Sequence, residues 1–180
     1  MFRIRLYHLA RRIAVLLLLA LPGEYCVGEV ATENQLKAAF LVNFLKYVEW
    51  PSNTSTATIC LFGRDTLGTY LTTYEGRSIA GRELRIHRIT GPDQVAACQV
   101  LFIPDIEEAR YDAVLRWVEN LPVLTVSDSD VFTRYGGAIA LVRVDGRLQF
   151  DINLDTLNRA GLKPSSQMMR LARQVVGASR

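Results

Sequence analysis

Residues 57–62 read Ala57-Thr58-Ile59-Cys60-Leu61-Phe62, a short apolar run bounded by Ser55, Thr56 and Gly63. A run of this length, closed by glycine and carrying β-branched and aromatic side chains, reads as a buried strand. Residues 100–103 and 121–126 repeat the pattern, and residues 83–89 alternate as a strand does. Helical patterns lie between them: residues 65–74, a short candidate over 93–97, and a longer one marked at helical spacing by Tyr111, Val114, Leu115 and Val118. Strand and helix therefore alternate, which favours a mostly parallel sheet with helices on both faces.

The flanking segments modify that pattern. On the amino side, Thr32 followed by Gln35 is a capping box that starts a helix running to Val48, and Pro51 stops it. This helix carries two apolar stripes, Leu36, Phe40, Phe44 and Tyr47 on one side and Leu41, Leu45 and Val48 on the other. One wide core-facing stripe explains both; the alternative is that Leu41, Leu45 and Val48 mediate self-association with a second copy. On the carboxyl side, residues 138–144 and 147–154 form two strands joined by Asp145-Gly146, the strongest short hairpin signal. Residues 155–160 suggest a short helix closed by Gly161. Ser165 or Ser166 then starts a last helix carrying Met168, Met169, Leu171, Ala172, Val175 and Val176. The expected fold is α/β: a mostly parallel six-stranded sheet flanked by helices, with a C-terminal antiparallel hairpin at one edge.

With 180 residues, 49% hydrophobic and 22% charged, the chain has material for one globular domain with a real core. The first residues stand apart. Arg3, Arg5, Arg11 and Arg12 lead into the apolar block 13–21, and Pro22 and Gly23 follow, which is the layout of a secretory signal peptide. That block is too short to cross a bilayer as a helix. Cleavage is expected after Gly28, giving a signal peptide over 1–28 and a single domain over 29–180. Lipid modification of Cys26 is disfavoured by the bulky Tyr25 before it. Loss of residues 1–28 removes four Arg and one Glu and brings the formal net charge from +3 to zero. The remaining positive charges are interleaved with negative ones, which argues against nucleic acid as a partner.

If Cys26 leaves with the signal, two cysteines remain, Cys60 and Cys98, in a compartment expected to oxidise thiols. A disulfide between them is the natural expectation, and chain entropy assigns such a loop about 4 kcal/mol. Two buried free thiols are the alternative. His87, flanked by Arg85 and Arg88, is the one histidine left, so no metal site is expected.

Catalytic motifs are missing: there is no nucleophile elbow, no phosphate loop and no dinucleotide glycine signature after a strand. Gly63-Arg64-Asp65-Thr66-Leu67-Gly68 follows a strand and could hold an anion, but an ordinary strand-to-helix turn is the simpler reading. Tyr135-Gly136-Gly137 reads as a tight approach to the hairpin, and Asp128 with Asp130 as a polar turn rather than a catalytic carboxylate pair. The chain is accordingly not expected to be an enzyme or to carry a cofactor.

Residues 37–51, Lys37-Ala38-Ala39-Phe40-Leu41-Val42-Asn43-Phe44-Leu45-Lys46-Tyr47-Val48-Glu49-Trp50-Pro51, resemble the opening signature of the YfiR family of periplasmic regulators. Matches continue through Ile59-Cys60-Leu61-Phe62-Gly63, Cys98-Gln99-Val100-Leu101-Phe102-Ile103 and Leu124-Thr125-Val126-Ser127-Asp128. Phe132, Gly136-Gly137 and Phe150-Asp151-Ile152-Asn153-Leu154 complete the series. The resemblance implies a repressor that sequesters the periplasmic region of an inner-membrane diguanylate cyclase, keeps cyclic-di-GMP synthesis low, and is released by an OmpA-like outer-membrane lipoprotein. It also implies the Cys60 to Cys98 disulfide; the second cysteine pair of some relatives has no counterpart here. The family's capture surface lies around the late segment, which makes Phe150, Asp151, Asn153, Leu154, Leu157, Met168 and Met169 the expected partner-binding residues. The rival reading is a periplasmic solute-binding module, with Trp50, Arg64 and Asp128 lining a crevice at the carboxyl ends of the strands.

Overall fold

The first helix, α1 (Glu33–Tyr47), begins as the capping box requires. In a computed structural model of the chain, Thr32 Oγ1 accepts from the Gln35 N–H at 3.3 Å, and the Thr32 N–H donates to Gln35 Oε1 at 2.5 Å. The structure describes residues 31–52, 54–64 and 66–177. The expected signal peptide over 1–28, with Cys26 and the cut after Gly28, lies outside the described residues, as does Asp65. Among the described residues, no helix is long and apolar enough to cross a membrane.

Beyond α1 the chain turns straight into β1 (Val48–Glu49), which pairs antiparallel with β9 (Lys163–Pro164) in a separate two-stranded sheet. The main sheet is built from β2 (Thr56–Phe62), β3 (Ser78–Ile79), β4 (Arg82–Ile89), β5 (Val100–Phe102), β6 (Leu124–Ser127), β7 (Ile139–Val144), β8 (Arg147–Asn153) and β10 (Gln174–Val176). Its order is β10-β8-β7-β6-β5-β2-β4-β3. Neighbours are parallel from β7 through β4, while β7 with β8 and β3 with β4 are antiparallel. The mostly parallel α/β class therefore holds, and all six expected strands are present.

The sheet nonetheless has eight strands rather than six, and the hairpin does not form its edge. The expected last helix stops early, as α5 (Ser166–Leu171): Ala172 is already extended, and the β-branched pair Val175 and Val176 adds to β8 in parallel. At the opposite edge, the two-residue Ala80-Gly81 turn, with φ of 50° and 78°, folds β3 back on β4. Asp145 and Gly146 also adopt positive φ, 49° and 75°, as a type I′ hairpin turn demands.

Helices cover both faces of the sheet. On one, α1, the short α2 (Gly68–Leu71), α4 (Leu154–Arg159) and α5 contribute Leu41, Phe44, Leu45, Leu71, Leu157 and Met168 to a core with Ile59, Leu61, Phe102 and Val126. On the other, α3 (Tyr111–Trp117) brings Tyr111 and Val114 against Cys60, Phe62, Leu101 and Phe132. The run that decided the fold thus feeds both cores, Ile59 and Leu61 into the first and Cys60 and Phe62 into the second. The helix expected over 65–74 is shorter, α2 followed by a 3-10 turn at Thr72–Tyr74, and that over 93–97 is a 3-10 helix, Pro92–Ala97.

Candidate functional site

Cys60 and Cys98 are joined by a disulfide, with their Cα atoms 5.7 Å apart. Cys60 sits in the middle of β2 and Cys98 two residues before β5, so the bond ties two neighbouring central strands inside the second core. Both cysteines are buried, which makes the bridge part of the scaffold.

The late segment divides in two. Phe150 is edge-on to Phe40 and Phe44, with ring centroids 5.7 and 5.3 Å apart, and Leu157 and Met168 are 0% and 2% exposed. These three are core residues, contrary to the partner-binding role expected for them, because α4 and α5 fold back onto the first face of the sheet and spend their apolar sides there. Asp151 is also unavailable: its buried carboxylate takes both Nε of Arg173, at 2.8 Å, and the adjacent guanidinium nitrogen. Asn153 is the N-cap of α4, accepting from the Thr156 N–H at 3.1 Å and donating to the Thr133 carbonyl at 3.1 Å. Of the expected set, Leu154 and Met169 keep half-buried side chains. At the end of α5, Leu171, 64% exposed, presents a large apolar side chain to solvent. Its exposure follows from the early end of α5, which period-3.6 counting alone does not reveal.

The self-association stripe is corrected as well. Leu41, Leu45 and Val48 are buried against the sheet, so they cannot meet a second copy. The helix is rotated the other way: Leu36 is exposed, and Phe40 and Tyr47 lie at the rim of the core.

Around the carboxyl ends of β5 and β6, an open crevice of about 460 Å³ is lined by charged groups of α1, β7 and the turn after β6. At its wall, Lys37 Nζ donates to Asp128 at 2.7 Å and pairs with Glu33 at 2.9 Å, while Arg143 holds the other oxygen of Glu33. Burial opposes the Lys37 charge, but Asp128 and Glu33 outweigh it and hold its pKa above the ordinary lysine value. The hydrogen bonds from Lys37 and Arg143 likewise hold the Glu33 carboxyl below the usual carboxylate range. Asp128 also accepts the Asp105 N–H at 2.9 Å. Asp128, in the turn after β6, is thus a docking point for α1.

Trp50, Arg64 and Asp128 do not line one crevice. Trp50 stacks on the Arg82 guanidinium at 5.2 Å, at the amino end of β4, whereas Asp128 follows the carboxyl end of β6. In the Gly63 turn, the Arg64 N–H donates to Glu107 Oε1 at 3.2 Å, so the protein's own carboxylate occupies the place an anion would take. Gly63 has a φ of 71°, and a Cβ there would lie 2.3 Å from that carboxylate. Gly137 is required for a similar reason, since a Cβ would fall 2.1 Å from the Phe132 ring.

This architecture has counterparts among known proteins. A family model described as YfiR/HmsC-like matches residues 34–173. Among solved structures, a conserved domain protein from Vibrio cholerae superposes with a TM-score of 0.59 at 8% identity, over 80% of this chain and 60% of that one. An ABC domain from Streptococcus pneumonia, solved in complex with L-Trp, gives 0.54 at 11% identity, over 77% of this chain and 60% of its own. The chain spans 60% of the length of both structures, and these likenesses concern the fold alone.

Proposed function

The chain belongs to the YfiR/HmsC-like family, and from that membership we propose that it sequesters the periplasmic region of an inner-membrane diguanylate cyclase and so represses cyclic-di-GMP synthesis. The family consists of periplasmic, non-catalytic regulators of diguanylate cyclase signalling. The observation that carries the reading is the family match across nearly all the described residues, supported by a disulfide-tied scaffold suited to an oxidising compartment.

Sequestration needs a surface that competes for one protein against another, and we place it on the exposed part of the late segment, at Leu171 and the half-buried Met169 of the same helix. Repression is lifted when an OmpA-like outer-membrane lipoprotein takes the same surface, a competition whose outcome depends on relative affinity and abundance. The periplasm is reached through a cleaved signal peptide.

Deleting the protein in its host should raise cellular cyclic-di-GMP, and tagged protein should co-purify with a membrane diguanylate cyclase from envelope extracts. Unchanged cyclic-di-GMP in the deletion strain sinks the reading. Leu171→Asp should break the co-purification while leaving the far-UV circular dichroism intact.

A further inference from the structure

At the carboxyl ends of β5 and β6 the surface carries more negative charge than the fold neutralises. In the crevice beside them five carboxylates face two cations, Lys37 and Arg143, and both cations are engaged by Glu33 and Asp128. The other three carboxylates, on Asp105, Glu108 and Asp130, are exposed and form no ion pair among the described residues. Asp105 accepts the Ile106 N–H at 2.7 Å and Glu108 the Tyr135 hydroxyl at 3.1 Å, bonds from neutral donors that leave both charges in place. The positive end of the short 3-10 helix Asp105–Arg110 favours Asp105 and Glu108, but Asp130 lies outside it. Arg134, beside Tyr135, offsets one of the three charges. The same surface is apolar in part. Ile106 is 53% exposed and Tyr135 42%, two of the four large apolar side chains that the described residues leave in solvent. Ile106 stands between Asp105 and Glu108 in the chain, and Tyr135 is fixed against Glu108 by its hydroxyl and edge-on to Tyr111, with ring centroids 5.5 Å apart. Glu108 lines both the crevice and the adjoining hollow at Val131 and Tyr135, so the acidic and apolar features are continuous.

We infer that the exposed surface formed by Asp105, Ile106, Glu108, Asp130 and Tyr135 is a docking site for a basic segment of a partner protein, one in which arginines flank large apolar residues. Charge selects the sign of the occupant, because the uncompensated carboxylates attract a cationic segment and repel an acidic one. The aromatic ring selects arginine: a guanidinium can lie over the Tyr135 ring while its planar fork meets the Glu108 carboxylate. Ile106 offers an apolar neighbour a dry contact between two of the charges. A second copy fits less well, since a two-fold contact would bring Asp105, Glu108 and Asp130 of both molecules together. A bare metal ion would leave Ile106 and Tyr135 without a use, and among the described residues no three metal-binding side chains converge. The inference adds a second contact to the partner-binding reading above and rests on it.

The test uses the purified, disulfide-intact protein and three blocked hexapeptides: alternating Arg and Leu, alternating Arg and Ser, and alternating Glu and Leu. The Arg/Leu peptide should bind and shift the amide resonances of Ile106 and Tyr135, with the other two at least about tenfold weaker. The double variant Glu108→Gln with Asp130→Asn removes two exposed charges, so it should keep its far-UV circular dichroism and lose at least about tenfold in affinity for the Arg/Leu peptide. A control with the same change in net charge, Glu83→Gln with Asp93→Asn, alters exposed carboxylates on and after β4 and should bind as the parent does. Equal binding of the Arg/Ser peptide, an equal loss in the control, or resonance shifts that spare Ile106 and Tyr135 overturns the inference, as does self-association through these residues without peptide. Because no cyclase enters this experiment, a negative result leaves the repressor reading standing, and a failed cyclase pull-down leaves the peptide result interpretable.

Discussion

Neighbouring apolar residues of the late segment have opposite fates, and substitutions should separate them. Leu157 is sealed in the first core, so Leu157→Ala should cost about 2–5 kcal/mol in urea unfolding, and Leu157→Asp should prevent folding. Leu171→Asp should change stability by no more than about 0.5 kcal/mol, yet abolish cyclase capture. Tyr111 makes a prediction of another kind. Burial, opposed by its hydrogen bond to Ser127 at 2.6 Å, pushes the phenol up to about 12. An unfolded tyrosine ionises near 10. Between those values the folded protein keeps a proton that the unfolded chain has lost, so this contribution is complete below about pH 10 and disappears as pH rises to about 12. Urea midpoints measured across that interval should fall with pH, and Tyr111→Phe should flatten the decline.

Among the elements, β2 and the turn before β5 are bound by the disulfide as well as by the sheet. Replacing both Cys60 and Cys98 by Ala should lower stability by about 2–5 kcal/mol, read as a lower urea midpoint, with the sheet retained in far-UV spectra. Elements with a strong local signature are legible in the amino-acid order alone: the capping box of α1, the apolar runs of β2, β5 and β6, and the Asp145-Gly146 hairpin. Those that escape such reading are short. β3 and β10 have two and three residues, too few for periodicity to speak, and they exist because a neighbouring strand offers free hydrogen-bonding groups. The faces of α1 escape for a different reason. Both stripes are apolar, and what decides between them is tertiary: Lys37 locks onto Asp128 beyond β6 and thereby sets the rotation of the helix. The candidate surface is accordingly legible as a region but not residue by residue, since Phe150, Leu157 and Met168 look the same in sequence whether they face a partner or the core.

For the molecule as a whole, the long-range links run between the ends of the described chain. α1 is completed by Phe150 wedged against Phe40 and Phe44, by β9 pairing with β1, and by the Ser165 N–H donating to the Tyr47 carbonyl at 2.7 Å. A protein truncated after Leu154 should therefore lose cooperative unfolding altogether rather than a peripheral hairpin, which calorimetry would show as a missing transition. The β1 and β9 clasp also bears on biogenesis. The first helix leaves the ribosome well before the strand that fastens it, with its greasy side bare. Until that strand pairs, the bare helix is open to adhesion, so newly made chains should be held longer by a chaperone than a variant whose clasp residues are circularly permuted next to the helix.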